Sequence, residues 1–327
     1  MIIRFYVNER VKMYKDIDYY KSLDFFEDID CNGNKVNGKL KLTKNNANFI
    51  ETVLTIDSRY KNSSNSNKKP SIEYVKYLRD NNINIYDSSL HEFGSGKFWI
   101  EKFIEIIISK DIGYKVQVEL KQEKGKNKEQ KNKNMYLDLK TVLNGVVCAI
   151  DRENSTHLTA HKSKEKVGRG NVSQKIYDYI ENNGIDNFIE KLTRKDDFYL
   201  IGYITVPKEP NKENFHYSFA TKFCKYVSLT FNNKCDKYYI YDNVIISNID
   251  YYIEKYGIRD KYSKKDIEFN KNKIKFDDDD EHKYREIAMQ YKKLYDCLDT
   301  IKKLANSENP KDVKRDEIDH IIWYFNK

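Results

Sequence analysis

From residue 172 onward the apolar residues recur at helical rather than strand spacing, over 172–180, 185–192, 218–229, 243–256, 284–304 and 315–325. This succession most constrains what the chain can fold into. A 3.6-residue period puts Phe219, Phe223, Tyr226 and Val227 on one side of the 218–229 segment, with Lys222 at its edge between Tyr226 and Leu229. It likewise gathers Ile318, Ile321, Ile322 and Phe325 on one side of the last segment. The acidic run from Asp277 to Asp280 suits the start of the 284–304 helix, where carboxylates complement the helix dipole.

The first half is mixed. Residues 2–11 open like a strand, and the Asn32-Gly33 and Asn37-Gly38 steps mark reversals. Residues 59–70 hold no apolar side chain after Tyr60 and form a solvated loop, followed by a helix over 71–79. Trp99, Ile100, Phe103, Ile104 and Ile106 to Ile108 make 98–109 a buried helix, and alternation makes 114–120 a strand. The fourteen residues 121–134 contain no hydrophobe, bury nothing and are expected to be mobile. The expected fold class is α+β, mainly α, with a partly β part over 1–150 and a helical part over 151–327. No internal repeat is visible.

With 39% hydrophobic and 14% aromatic residues, the 327-residue chain can build a real core. Its net charge of +8 is moderate, but the basic residues cluster over 61–69, 121–133, 162–175 and 261–275, the pattern of a polyanion binder. Nucleic acid ranks ahead of an anionic membrane. The heavy Asn, Lys, Ile and Tyr usage with only 4 Pro also matches AT-rich coding, which raises lysine counts without any functional cause. No apolar run approaches the roughly 18 residues of a membrane span, and no leader pattern opens the chain, so a cytoplasmic location is expected. Cys31, Cys148, Cys224, Cys235 and Cys297 are odd in number and form no C-x-x-C pair, which points to reduced thiols rather than a disulfide framework, a zinc site or an iron-sulfur cluster.

Two stretches carry candidate chemistry. Tyr217-Ser218-Phe219-Ala220-Thr221-Lys222-Phe223-Cys224 sets Lys222 at an apolar helix face, and Tyr239-Ile240-Tyr241-Asp242-Asn243-Val244 follows with Asp242 twenty residues on. Burying an ammonium is costly unless it is paired or neutralised, and Schiff-base lysines exploit such settings. Asp242 also reads as an ordinary helix N-cap, and Lys222 as a snorkelling core lysine. Over roughly 185–256 these residues resemble the helix-hairpin-helix DNA glycosylases, which include 8-oxoguanine DNA glycosylase and endonuclease III. Members of that superfamily place a catalytic lysine on a helix after the hairpin and an aspartate about twenty residues later at the head of the next helix. The closing Ile318-Asp319-His320-Ile321-Ile322-Trp323-Tyr324 is similar to the final helix of bacterial relatives.

The resemblance implies a DNA N-glycosylase, with or without AP-lyase activity, acting on double-stranded DNA with a damaged or modified base and needing no cofactor or metal. It makes Lys222 the nucleophile and Asp242 the stabiliser of an oxocarbenium-like state and the acceptor of the lysine's proton. The residues around the pair add candidates of their own: His216, Phe219 and Tyr241 for a base pocket, Ser218 and Lys225 for DNA phosphates, and Lys162, Lys164, Lys166 and Arg169 from a flexible basic loop over 162–171 that reads equally as a solvated charged loop. The chain departs from the family at the hairpin, where Glu213-Asn214-Phe215-His216 replaces the usual Leu-Pro-Gly-x-Gly, and it has no cluster of four cysteines. The unfamiliar N-terminal part suits substrate selection, including defence against phage with modified DNA.

Two other constellations compete. Asp111 with Glu119 and Lys121 has the spacing of a Mg²⁺-dependent restriction-type nuclease. His157 and His161 lie four apart without the intervening Glu of a zincin and with no carboxylate or cysteine nearby as a third ligand, so side-chain filler explains them better than a metal does. A non-catalytic DNA-binding module is the third alternative.

Overall fold

The computed structural model describes residues 41–44, 46–47, 96–124, 129–154, 158, 165–207, 215–231, 237–275, 279–309 and 311–326. Among them the fold is α+β and mainly α: ten α-helices and one two-stranded antiparallel sheet. The expected strand over 2–11, the turns near 33 and 38, the loop over 59–70 and the helix over 71–79 lie outside the described residues. So do Lys162, Lys164, His157 and His161. The chain divides into two compact units, His91–Lys237 with Phe269–Lys292, and Tyr238–Glu268 with Lys293–Lys327 and the described residues of Met1–Leu90. Residue 150, where the sequence suggested a boundary, is inside a helix (Leu139–Asn154).

The first unit opens with α1 (Gly96–Ser109), whose Phe103 meets Phe188 and Phe223 at ring separations of 5.8 and 6.2 Å. Each of these rings is fully buried, a contribution of about 1.5–3 kcal/mol apiece. Strands β1 (Val116–Lys124) and β2 (Glu129–Leu137) then pair in register from Val116↔Leu137 to Lys124↔Glu129. The segment 121–134 was expected as a mobile loop and is instead mostly the outer half of this ribbon. A two-stranded ladder satisfies its own backbone groups without burying side chains, so lack of hydrophobes does not exclude it.

Helices α2 (Leu139–Asn154), α3 (Glu165–Asn183), α4 (Ile185–Thr193), α5 (Tyr199–Thr205) and α6 (Tyr217–Phe231) complete the series. Gly184 ends α3 with φ at 81° and ψ at 157°, a positive-φ conformation open to glycine because it has no Cβ, and its N–H closes on the Ile180 carbonyl at 2.8 Å. The last carbonyls around α4 are satisfied by a buried ammonium: Lys237 Nζ donates to the oxygens of Lys191 and Leu192 at 3.2 Å and of Asp197 at 2.5 Å. Gly202 on α5 lies against the backbone of Tyr284 on α9 (Asp280–Glu308). That helix begins as its acidic run suggests, with Asp279 Oδ1 accepting from the His282 N–H at 2.8 Å.

In the second unit α7 (Asn243–Lys255) packs on α10 (Arg315–Asn326) and on the short α8 (Lys264–Ile267). Helix α7 ends at Gly257, φ 63°, where the Gly257 N–H reaches Glu254 O and the Ile258 N–H reaches Ile253 O, both at 3.0 Å. This pair of bonds is the Schellman arrangement that a left-handed glycine permits. Helix α10 starts with Glu317 accepting from the Lys314 N–H at 2.8 Å and pairing with Lys44, which ties the 41–47 segment to it.

Candidate functional site

Lys222 and Asp242 fall in different compact units and are described within each. Helix α6 is the innermost helix of its unit, packing on α1, α2, α4 and α5. Burial is therefore not confined to one stripe: every residue from Phe219 to Lys225 is buried, while Tyr226 and Leu229 are only partly covered. Lys222 is 4% exposed and Lys225 is 1% exposed. Two lysines one helical turn apart inside a protein run against the cost of burying charge. Lys225, expected on DNA phosphates, is an interior residue, because the helix is covered on the side where a surface-helix pattern leaves solvent. Phe219 is core as well, 1% exposed and stacked on Phe223 at 6.1 Å.

His216 precedes α6 and supplies the carbonyl that accepts from the Ala220 N–H at 2.8 Å, while its own N–H donates to Thr205 O at 2.9 Å. Burial, and secondarily the Lys175 ammonium, push its imidazole pKa from 6.5 down to about 4, against an opposing pull from Asp151. The imidazole is neutral near pH 7, so it offers DNA no positive charge. Its pKa is lowered on folding, so the unfolded chain binds the extra proton first and stability falls as pH drops from about 6.5 to about 4. The loss is about 3 kcal/mol from this group, at 1.36 kcal/mol per unit. Urea unfolding at pH 7 and pH 4.5 should show it in the native chain and a much shallower change in His216→Gln. Equal pH dependence in the two proteins would show that His216 is solvated.

Lys175, part of the basic stretch 162–175, also turns out to be interior. Its Nζ donates to Val206 O at 2.6 Å and lies 4.6 and 4.8 Å from the ring centres of Tyr203 and Tyr284, a cation–π box that stabilises a buried ammonium. Lys166 and Arg169 lie in α3, so the expected flexible loop over 162–171 gives way to helix from Glu165. Ser218 occupies the first turn of α6, its carbonyl accepting from the Thr221 hydroxyl at 3.0 Å. Cys224 and Cys297 are buried free thiols and Cys148 an exposed one; burial pushes the Cys224 pKa up to about 12, against a lowering by Lys237.

In the second unit Asp242 caps α7. Its backbone is extended, φ −142° and ψ 144°, and its Oδ1 accepts from the Val244 N–H at 2.9 Å. The approach to it is aromatic, with Tyr238, Tyr239 and Tyr241 at 1%, 0% and 8% exposure. Helix α10 holds this approach in two places. Asp319, 1% exposed, accepts from the Ile240 N–H through Oδ2 at 2.8 Å. Arg315 stacks over Tyr239 and Tyr295, 5.9 and 5.1 Å from their centres, and donates through Nη2 to Asp299 Oδ1 at 2.7 Å.

The sequence singled out neither Asp319 nor Arg315. An acid beside the apolar stripe of 318–325 was the available signal, since a buried carboxylate needs a donor. Asp319→Ala leaves the Ile240 N–H unsatisfied in the interior and should cost about 2–3 kcal/mol by denaturant midpoint, whereas Asp319→Asn keeps an acceptor and should cost less. Equal costs would mean that the hydrogen bond does not hold the 238–242 segment.

Of the nuclease constellation, Asp111 is exposed in the turn after α1, its Oδ1 accepting from the Gly113 N–H at 2.8 Å. Glu119 and Lys121 stand opposite Asn134 and Asn132 on the ribbon. Among the described residues no three His, Cys, Asp or Glu side chains are grouped to hold a metal ion. No described helix is long and apolar enough to cross a membrane.

These residues define a mainly helical α+β protein with two lysines inside one central helix and a capping aspartate at the head of another. No protein-family model, curated protein or solved structure matches the chain.

Proposed function

We propose that the chain is a DNA glycosylase that excises a modified or damaged base from double-stranded DNA, with Lys222 as amine nucleophile and Asp242 as the carboxylate that stabilises positive charge on the sugar. The observation that carries this reading is the interior position of Lys222, 4% exposed in the middle of α6. Lys175 and Lys237 are buried too and serve the packing of the helices; what favours Lys222 is that its interior place coincides with the position the family resemblance gives to the amine nucleophile. The setting of Asp242, an acid between aromatic residues at a helix head, agrees with the family resemblance of the sequence. Defence against phage carrying modified DNA is the biological role that a divergent N-terminal part favours.

In the proposed reaction the bond from the base to C1′ breaks with its electron pair leaving on the base, and Asp242 offsets the charge that develops on the sugar. The Lys222 nitrogen forms a bond to C1′ as its proton passes by way of Asp242 to the departing base. The C1′–O4′ bond then breaks, the ring oxygen taking up a proton, to give the Schiff base, from which loss of a C2′ proton and cleavage of the C3′–O bond cut the strand by β-elimination. Because the resting amine is covered, a flipped nucleotide reaches it only as neighbouring side chains give way, a cost added to the few kcal/mol of flipping the base.

The test is excision from duplexes carrying oxidised, alkylated, hydroxymethylated or glucosylated bases. The native chain should release at least one class, and both Lys222→Ala and Asp242→Asn should release it much more slowly. No release from any duplex, or full activity in both variants, would overturn the assignment.

A further inference from the structure

The head of α6 presents hydrogen-bond donors that lack acceptors. Tyr217, Ser218 and Phe219 form its first turn, where N–H groups have no partner inside the helix, and the ladder starts only with the Ala220 N–H on the His216 carbonyl. Among the described residues, the Ser218 and Phe219 N–H groups bond no acceptor. Phe219 is 1% exposed, so solvent does not stand in for one. His216 holds the cap position, which Ser, Thr, Asp and Asn fill best by accepting these bonds.

An independent donor stands at the same place. Thr205 ends α5, and its carbonyl accepts from the His216 N–H at 2.9 Å, which sets it against the head of α6. Its hydroxyl is buried, the residue being 0% exposed, and finds no hydrogen-bond partner among the described residues. Helical threonines can close their hydroxyls on a carbonyl of the preceding turn, as Thr221 and Thr230 do at 3.0 and 2.9 Å. A covered hydroxyl left without a partner is costly and uncommon. The surrounding charge is positive: Lys175 donates to the carbonyl of the adjoining Val206 at 2.6 Å, and its ammonium acts on the His216 imidazole more strongly than the Asp151 carboxylate does. The positive end of the α6 dipole adds to it.

We propose that the head of α6, with Thr205 and Lys175, is a binding site for a free tetrahedral oxyanion of the phosphate class. Its oxygens accept from the Ser218 and Phe219 N–H groups and the Thr205 hydroxyl, while Lys175 and the helix dipole balance its charge. His216 and Ser218 are partly exposed and give the ion a way in. A phosphate still joined to a duplex is too bulky to reach a hydroxyl that solvent does not touch, so the ion is a free one. The site requires neither base excision nor the Lys222 amine.

The test titrates inorganic phosphate into the full chain near pH 7, with chloride holding the ionic strength constant, and reads the thermal midpoint and the amide NMR shifts of Ser218 and Phe219. Both should move and saturate together. Thr205→Val keeps the side-chain shape and loses only the hydroxyl, so in chloride it should be at least as stable as the native chain. It should bind phosphate at least about tenfold more weakly, the scale of one hydrogen bond to a charged group. A rise in midpoint that never saturates and is equal in the two proteins is the general effect of an excluded salt and would overturn the site. Unmoved Ser218 and Phe219 amides, equal affinity in Thr205→Val, or stabilisation by unmodified duplex DNA in place of phosphate would do the same. A marked loss of stability of Thr205→Val in chloride would also overturn it, because a buried water then already satisfies the hydroxyl.

Discussion

Gly202→Ala is expected to destabilise the protein by about 3 kcal/mol or more, at the upper end of what overpacking costs. A Cβ at this position overlaps the carbonyl oxygen, carbonyl carbon and Cα of Tyr284, all backbone atoms of α9. Backbone cannot rotate away as a side chain can, so α5 and α9 must separate, and with them the tyrosines that surround Lys175. Two other glycines calibrate the effect. Gly145 faces the Trp99 ring, a side chain rather than backbone, and Gly145→Ala should cost less. Gly184→Ala meets no atom within 4 Å and is penalised only by its backbone, φ 81° and ψ 157°, a region left almost entirely to glycine, at about 1–3 kcal/mol. A denaturant midpoint for Gly202→Ala within about 0.5 kcal/mol of the native protein, the range of neutral surface changes, would show that the two helices do not meet there.

Asp242→Asn should separate structure from chemistry. Asparagine caps a helix about as well as aspartate, so the Val244 N–H keeps an acceptor and stability should shift by only a few tenths of a kcal/mol. Without the negative charge the developing oxocarbenium loses its partner, and excision should fall about 10²- to 10³-fold, the usual scale for removing one electrostatic stabiliser. An unchanged excision rate in a stably folded Asp242→Asn protein would reduce Asp242 to a cap. A comparable loss of rate and of stability would say the same, since the cap alone would then explain both.

Much of the architecture was legible because it rests on local patterns. The periodic segments over 98–109, 185–192, 218–229, 243–256, 284–304 and 315–325 all correspond to helices, and Asp242 and Asp279 mark helix starts as short polar side chains do. The short α5 escaped notice because its seven residues, Tyr199–Thr205, contain too few turns to show a period. Strand β2 escaped because its outer residues are polar, and pairing with β1 rather than burial fixes it. The interior of α6 was underestimated for a different reason: Lys222 and Lys225 look like the wet side of an amphipathic helix, and only tertiary packing on four neighbours covers them. The same holds for Asp319, whose partner, the Ile240 N–H, is 79 residues away in sequence.

The central claim concerns the Lys222 amine, and borohydride trapping on modified duplex DNA addresses it most directly. Reduction should fix the native chain to the substrate, with the sugar remnant mapped by peptide mass to Lys222, while Lys222→Ala, still folded and still binding DNA, traps nothing. A remnant on another lysine, an equal yield from Lys222→Ala, or no adduct from any modified duplex would contradict it.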